Sequence, residues 1–171
     1  MNMSLSYIIS QALVTIAYII LGIGLSRKSR IQILIGSSVY SILAGIHYIL
    51  LFGTMGAISC FIGVIRNLLF YHNEKHAKEN SKLILYAFCI ITIILTVVFY
   101  QSLFDIFPCI LSIIGVYSYW NTSTKVTRIG NLLISACYIV YAISIQSYFT
   151  IILEVYLVFQ TLIGYYKHEK N

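Results

Sequence analysis

Seven long apolar runs, separated by short polar segments, account for almost the whole chain. The runs cover residues 5–25, 31–52, 55–72, 83–100, 102–120, 129–145 and 149–166. Each is close to the roughly 20 apolar residues that a helix needs to cross the hydrocarbon core of a bilayer. The pattern therefore predicts an all-α membrane protein with seven transmembrane helices.

The fourth run, residues 83–100, stands between two groups of three runs that resemble each other. Two three-helix units fused directly would run in opposite directions across the membrane, and one additional crossing makes them parallel. The pattern predicts two parallel three-helix bundles joined by a linker helix. The predicted units are a first repeat at residues 1–72, a connector with the linker helix at 73–100, and a second repeat at 101–171.

The resemblance between the two groups appears when the chain is aligned with itself. A shift of 94 residues places Ile35-Gly36 on Ile129-Gly130 and Ser41 on Ser135. Identities among apolar residues carry little weight in so apolar a chain. The repeat therefore depends on the polar positions, which recur at helical spacing in both groups.

Small and polar residues form a stripe along one face of each repeated run. One explanation is helix packing, because small residues let helices approach closely in lipid. The other is the lining of a polar passage between the bundles, because polar groups in hydrocarbon need partners or water. The sequence leaves both open. The candidate lining residues are Gln11, Thr15, Ser41, Tyr48, Arg66, Asn67, Ser112, Asn131, Tyr138, Glu154 and Gln160.

Four ionisable groups in or near the runs have alternative interpretations. Arg66 either extends to the inner headgroups or faces a cavity, where it would bind an anion or pair with a carboxylate. Glu154 either faces water, pairs with a cation, or stays protonated and carries protons. Asp105 is expected at the outer mouth of the fifth run as a helix cap, and His47 either titrates with Glu154 or is simply hydrogen-bonded. Glu154, Asp105 and His47 are thus the candidates for gating or proton coupling.

Composition changes the picture mainly by exclusion. The chain is 60% hydrophobic and 9% charged, whereas an ordinary globular protein is roughly 45–50% apolar and about 25% charged. Its net charge of +6 is spread over short connections and does not indicate nucleic-acid binding. The four cysteines lie inside the runs without metal-ligand spacing, and no catalytic constellation is present. We expect neither an enzyme nor a metal or cofactor site.

The basic residues predict the orientation in the membrane. Cytoplasmic connections collect Lys and Arg, and translocated connections lack them. Ten of the eleven basic residues fall on one side of a seven-span arrangement, with the C-terminus, and Arg66 is the exception. The N-terminus is therefore expected outside and the C-terminus in the cytoplasm. The ten are Arg27, Lys28, Arg30, Lys75, Lys78, Lys82, Lys125, Arg128, Lys167 and Lys170.

Several phrases of the chain resemble the YgjV-like family of bacterial inner membrane proteins. They are GTMGA at 53–57, IGVIRN at 62–67, DIFP at 105–108 and KVTR at 125–128. The 3+1+3 arrangement of runs also resembles the SWEET-type and PQ-loop proteins and the bacterial nicotinamide riboside transporters. These resemblances imply a multi-pass protein of the bacterial inner (cytoplasmic) membrane.

Two functional hypotheses follow. The first is a transporter or facilitator of a small polar solute, with a site between the two repeats that rock against each other. The alternative is a non-transporting receptor-like protein or partner subunit of the same fold. The lipid bilayer and an unknown small polar solute are the expected partners, and a homo-oligomer is one option for the assembly.

Overall fold

The computed structural model describes residues 5–52, 54–100, 106–144 and 148–169, and these form seven α-helices without a strand. Asp105 lies outside the described residues. The helices are α1 (Leu5–Leu25), α2 (Arg30–Leu50), α3 (Thr54–Lys75), α4 (Lys82–Val98), α5 (Ile106–Trp120), α6 (Thr124–Ser144) and α7 (Tyr148–His168).

The helices follow the predicted runs, which confirms the all-helical architecture. The largest extension is at α6, which begins at Thr124, five residues before the apolar run at 129–145. Helical backbone bonding does not depend on apolar side chains, so a polar first turn continues the helix outward. The start of α4 is capped by Ser81, whose hydroxyl accepts a hydrogen bond of 3.2 Å from the Leu83 amide.

Six of the helices pack in a closed ring. We call α1–α3 the first trio and α5–α7 the second trio. In the first trio, α1 contacts α2 and α2 contacts α3; in the second, α5 contacts α6 and α6 contacts α7. Two further pairs, α3 with α5 and α1 with α7, join the trios. Helix α4 packs against α5 and α3. The two seams between the trios are therefore α3–α5 and α1–α7.

Side-chain contacts define the two ends of this ring. At one end, Trp120 at the end of α5 donates its indole N–H to the Asn80 carbonyl, 3.0 Å away and just before α4. Most of the basic residues lie at this end, which we call the basic end. At the opposite end, the ring nitrogen Nδ1 of His47 lies 2.8 Å from the Ser10 carbonyl oxygen, linking α2 to α1.

Glycines allow α1 and α2 to approach closely. A Cβ atom on Gly24 would lie 3.3 Å from the Gly36 Cα, and one on Gly36 would lie 3.2 Å from the Gly24 Cα. The backbones thus meet with no side chain between them, as small residues permit in membrane helix pairs. Helix packing therefore explains these two glycines.

The outer surface of the ring is apolar, and many large aliphatic side chains are exposed on it. Three helices of the described part are each long and apolar enough to cross a membrane: Leu5–Leu25, Arg30–Leu50 and Phe149–His168. The segments Lys82–Val98 and Cys109–Trp120 are shorter apolar helices.

Candidate functional site

A cavity of about 410 Å³ lies between the two trios. It reaches from Phe52 and Thr54, at the turn between α2 and α3, to Tyr119 and Asn131, which are nearer the basic end. Both trios and α4 contribute polar groups to its wall. The hydroxyl, amide and charged side chains are Ser37, Tyr40, Ser41, Tyr48, Thr54, Ser59, Arg66, Thr92, Ser112, Tyr119, Asn131, Ser135, Tyr138 and Glu154.

Seven of the candidate lining residues meet in this cavity. They are Ser41, Tyr48, Arg66, Ser112, Asn131, Tyr138 and Glu154. Four candidates are not part of the wall: Gln11, Thr15, Asn67 and Gln160. For the outer part of α1 the reason is local, because Thr15 directs its hydroxyl to the Gln11 carbonyl of its own helix, 2.7 Å away. Gln160 is half-buried on α7.

Glu154 is the buried carboxyl of the site, with 2% of its surface exposed. The Tyr18 hydroxyl donates a hydrogen bond to its Oε1 at 2.7 Å, and Ser135 lies beside the same carboxyl. Its Oε2 is buried and has no hydrogen-bond partner in the described part of the chain. A buried oxygen without a donor is unfavourable by about 1–3 kcal/mol. A proton on Oε2, or a hydrogen-bond donor on a bound molecule, would therefore stabilise this carboxyl group.

Arg66 lies in the cavity wall with 8% of its surface exposed. Its Nε donates to Asn67 Oδ1 at 3.0 Å, and its guanidinium carbon stands 4.8 Å from the centre of the Tyr119 ring. This contact crosses the α3–α5 seam and is a cation–π interaction. Among the described residues, no carboxylate forms an ion pair with Arg66. The positive charge of Arg66 is therefore available to a molecule in the cavity.

Asn67 and His47 lie outside the cavity wall, and each is held by hydrogen bonds. Asn67 is fully buried, and its amide nitrogen donates to the Ser37 hydroxyl at 2.8 Å. It orients Arg66 from behind. His47 is buried against α1 through its contact with the Ser10 carbonyl, which corresponds to the hydrogen-bonded interpretation of this histidine. It does not line the cavity.

Tyr119 is a site residue that the candidate set lacks. Its ring faces Arg66, its hydroxyl accepts a hydrogen bond of 3.2 Å from Asn131 Nδ2, and its carbonyl accepts one of 2.6 Å from Arg30 Nη2. From the sequence it counts as an interfacial aromatic residue. The available signal was its position on the same helical face as Ser112, seven residues earlier.

Two buried arginines close the basic end beneath the cavity. Arg30, at the start of α2, pairs with Glu74 at 2.9 Å. It also donates to the Tyr119 and Asn121 carbonyls at the end of α5, in the other trio. We call this set the first clamp.

The second clamp has the same construction with the trios exchanged. Arg128, in the first turns of α6, is 0% exposed and pairs with Glu169, which follows α7. It donates to the Leu25 carbonyl at 3.1 Å and to the Arg27 carbonyl, both at the end of α1. Each arginine thus ties its own trio to the first helix of the other.

The sequence analysis does not predict the clamps, because it interprets Arg30 and Arg128 only as charges that set the orientation in the membrane. A signal was present: each trio has an arginine near the start of its second helix and a glutamate at the end of its third. Charged hydrogen bonds to helix-terminal carbonyls satisfy acceptors that a helix end leaves without partners. Counting the basic residues in each connection does not reveal which of them bind helix-terminal carbonyls.

A family model described as Imp-YgjV, bacterial inner membrane protein, matches residues 8–171, which is nearly the whole chain. The chain belongs to this family. Membership confirms the resemblance of the phrases at 53–57, 62–67, 105–108 and 125–128 and identifies an inner membrane protein. No curated protein and no solved structure matches the chain.

Proposed function

We propose that this member of the YgjV-like family is a carrier for a small polar solute. In this proposal the chain crosses the membrane seven times as two parallel three-helix bundles joined by α4. The solute binds between the bundles. The observation that carries the proposal is the cavity itself, because its polar wall is built from both trios and lies at the seams where they meet.

The clamps give the carrier a gate. A transporter with alternating access exposes its site to one side at a time as the repeats rock against each other. The cavity reaches toward the α2–α3 turn, while both clamps tie the trios together at the basic end. Rocking the trios apart at the basic end requires both clamps to break.

The proposed orientation follows the distribution of charge. The basic end carries the connections that are rich in Lys and Arg, and such connections stay in the cytoplasm. The cavity then opens toward the periplasm, with both termini as predicted: the N-terminus outside and the C-terminus inside. In this proposal the conformation is outward-facing, with the inner gate closed by the clamps.

Thiol accessibility tests the proposal, because Cys60 lines the cavity. One variant retains Cys60 as its single cysteine. A second replaces Cys60 with Ser and carries Ser37→Cys, which lies nearer the basic end. Each is treated with a charged, membrane-impermeant thiol reagent in right-side-out and in inside-out vesicles. A carrier is expected to react from both sides, because it visits both conformations.

Cys137 provides the matched control, because it is exposed on the outer surface of α6. Facing lipid, it is expected to resist the charged reagent from both sides and to react with a lipid-soluble maleimide. If Cys60 and Ser37→Cys react only from the outer side under every condition, the carrier proposal fails and a receptor-like role is favoured.

A further inference from the structure

The guanidinium of Arg66 has an unused hydrogen-bonding edge. Its Nε donates to Asn67, and its central carbon lies over the Tyr119 ring. In the described part of the chain, Nη1 and Nη2 donate no hydrogen bond to a protein acceptor. These two nitrogens belong to a side chain that is more than nine-tenths buried and lines the cavity.

The surroundings of the guanidinium are built to leave it room. A Cβ atom on Gly115, in α5, would lie 3.1 Å from Arg66 Nη1, and one on Gly63, in α3, would lie 3.8 Å from Nη2. A side chain at Gly115 would press on the guanidinium, whereas one at Gly63 would only make ordinary contact with it. Asn67, Tyr119 and Gly115 thus fix the direction of one cation.

A buried cation without a counter-charge is energetically unfavourable, and an anion in the cavity would neutralise it. The two N–H groups of a guanidinium edge match the two oxygens of a carboxylate. Among the described lining residues, Arg66 is the single Lys or Arg. It can neutralise one negative charge, and the carboxyl group of Glu154 in the same wall offers nothing to a second. The wall therefore suits an anion with one negative charge and disfavours a phosphate group with more.

We propose that the solute of this cavity is a small organic monocarboxylate, whose carboxylate accepts hydrogen bonds from Arg66 Nη1 and Nη2. The proposal rests on the carrier function above and names the class of its cargo. The hydroxyls of Ser41 and Ser112, which line the same cavity, contact the rest of the solute.

The test compares carboxylates with neutral molecules of the same shape. Propanoate, lactate and benzoate are each titrated into the purified full-length protein beside propanamide, lactamide and benzamide, at constant ionic strength. Binding is followed by the fluorescence of Trp120, the only tryptophan, which adjoins Tyr119. At least one carboxylate is expected to bind saturably and at least about tenfold more tightly than its amide, because charge-assisted hydrogen bonds are the stronger kind.

Variants locate the bound carboxylate. Arg66→Gln, which introduces the residue type found at Gln160 in the second repeat, is expected to abolish the preference for carboxylate over amide. Arg66→Lys keeps the charge without the planar edge and is expected to weaken carboxylate binding with little effect on amides. Should Arg66→Gln fail to fold, Arg66→Lys provides the comparison. Lys28→Gln removes an exposed positive charge and is the matched control, with unchanged binding expected.

Two results would overturn the proposal. One is that no carboxylate binds more tightly than its amide. The other is that inorganic phosphate, or phosphatidylglycerol added in mixed micelles, binds in an Arg66-dependent way when the carboxylates do not. The binding assay does not require transport. A one-sided thiol result together with carboxylate binding would refute the carrier and keep the ligand, whereas two-sided labelling without carboxylate binding would refute the ligand alone.

Discussion

The Tyr18 hydroxyl donates a hydrogen bond of 2.7 Å to Glu154 Oε1, and this bond joins α1 to α7 across a seam between the trios. Tyr18 is held by an edge-on contact with the Tyr40 ring, 5.4 Å between ring centres. The same seam is packed by Tyr156, whose ring fills the space over Gly22. A movement of one trio against the other would therefore change the contacts of the Glu154 carboxyl group.

Tyr18→Phe is expected to destabilise the protein. The substitution keeps the ring and its contact with Tyr40, but it removes the tyrosine donor from Glu154 Oε1, whose neighbour Oε2 already lacks a partner among the described residues. Such a loss costs about 1–3 kcal/mol, and the midpoint of thermal unfolding in detergent should fall accordingly. Glu154→Gln should cost less, because its amide oxygen still accepts from Tyr18.

Tyr40→Phe is the control for that prediction. Tyr40 lines the cavity, and its contact with Tyr18 is made by the ring, which Phe preserves. A small change, within about 0.5 kcal/mol, is expected. Equal destabilisation by Tyr18→Phe and Tyr40→Phe would show that the Tyr18–Glu154 bond contributes nothing specific.

The positions of the helices could be predicted from the sequence because a helix suited to a bilayer has a characteristic length and polarity. Apolar runs of about 20 residues bounded by polar connections have few alternatives to helices. The run at 5–25 coincides with α1, and the others agree within a few residues at most ends. Interior polar residues such as Glu154 and Arg66 were predictable as site residues for the same reason, since lipid excludes them.

The partners of those residues could not be predicted, because they depend on which helix faces which. Nothing in the chain pattern says that Tyr18 reaches Glu154, 136 positions later. The basic residues show the limit clearly. Arg128 reads as one charge in a cytoplasmic connection, whereas in the structure it is fully buried on the carbonyls of α1.

Gly164→Ala is expected to disrupt the α1–α7 seam. A Cβ atom there would lie 2.3 Å from the Leu25 carbonyl oxygen and 3.0 Å from the Ser26 Cα. These obstacles are backbone, so α1 and α7 must separate, at a cost of about 1–3 kcal/mol. The thermal midpoint should fall, and the second clamp should loosen, because the new methyl would also approach Arg128 Nε at 2.9 Å.

Gly63→Ala is the matched substitution for that comparison. Its nearest obstacle is the Ser41 hydroxyl at 3.2 Å, which turns aside at little cost. Its effect on the thermal midpoint should be clearly smaller. If the two alanines were equally destabilising, the lost conformational freedom of glycine, rather than the seam, would explain both.

The proposed orientation predicts opposite labelling of two exposed connections. In a cysteine-free background, Phe52→Cys, at a position 94% exposed, should react with an impermeant maleimide in intact cells. Lys78→Cys, exposed between α3 and α4, should react only after the membrane is permeabilised. The reverse pattern would invert the positive-inside assignment and place the cavity mouth in the cytoplasm.

In the proposed carrier, closure of the inner gate should depend on Arg30 and Arg128 together. Arg30→Gln removes the ion pair with Glu74 and weakens the bonds to the Tyr119 and Asn121 carbonyls. Arg128→Gln does the same for Glu169 and the end of α1. Because each clamp joins both trios, either one alone should still hold them partly closed.

The double variant should therefore shift the population toward the inward-facing conformation. Hydrogen bonds to charged groups contribute about 1.5–3 kcal/mol each, so even one net bond lost corresponds to about a tenfold change in the equilibrium. The rate at which a charged reagent labels Ser37→Cys in inside-out vesicles should rise by at least that factor. Each single variant should give a smaller increase.

Loss of positive charge at the basic end is the simplest competing explanation for such a result. Lys28→Gln with Lys82→Gln removes the same two charges from exposed positions and leaves both clamps intact. Labelling of Ser37→Cys from the inner side should not change in this control. An equal increase in both double variants would assign the effect to surface charge, and no increase in the double arginine variant would show that the clamps do not hold the gate.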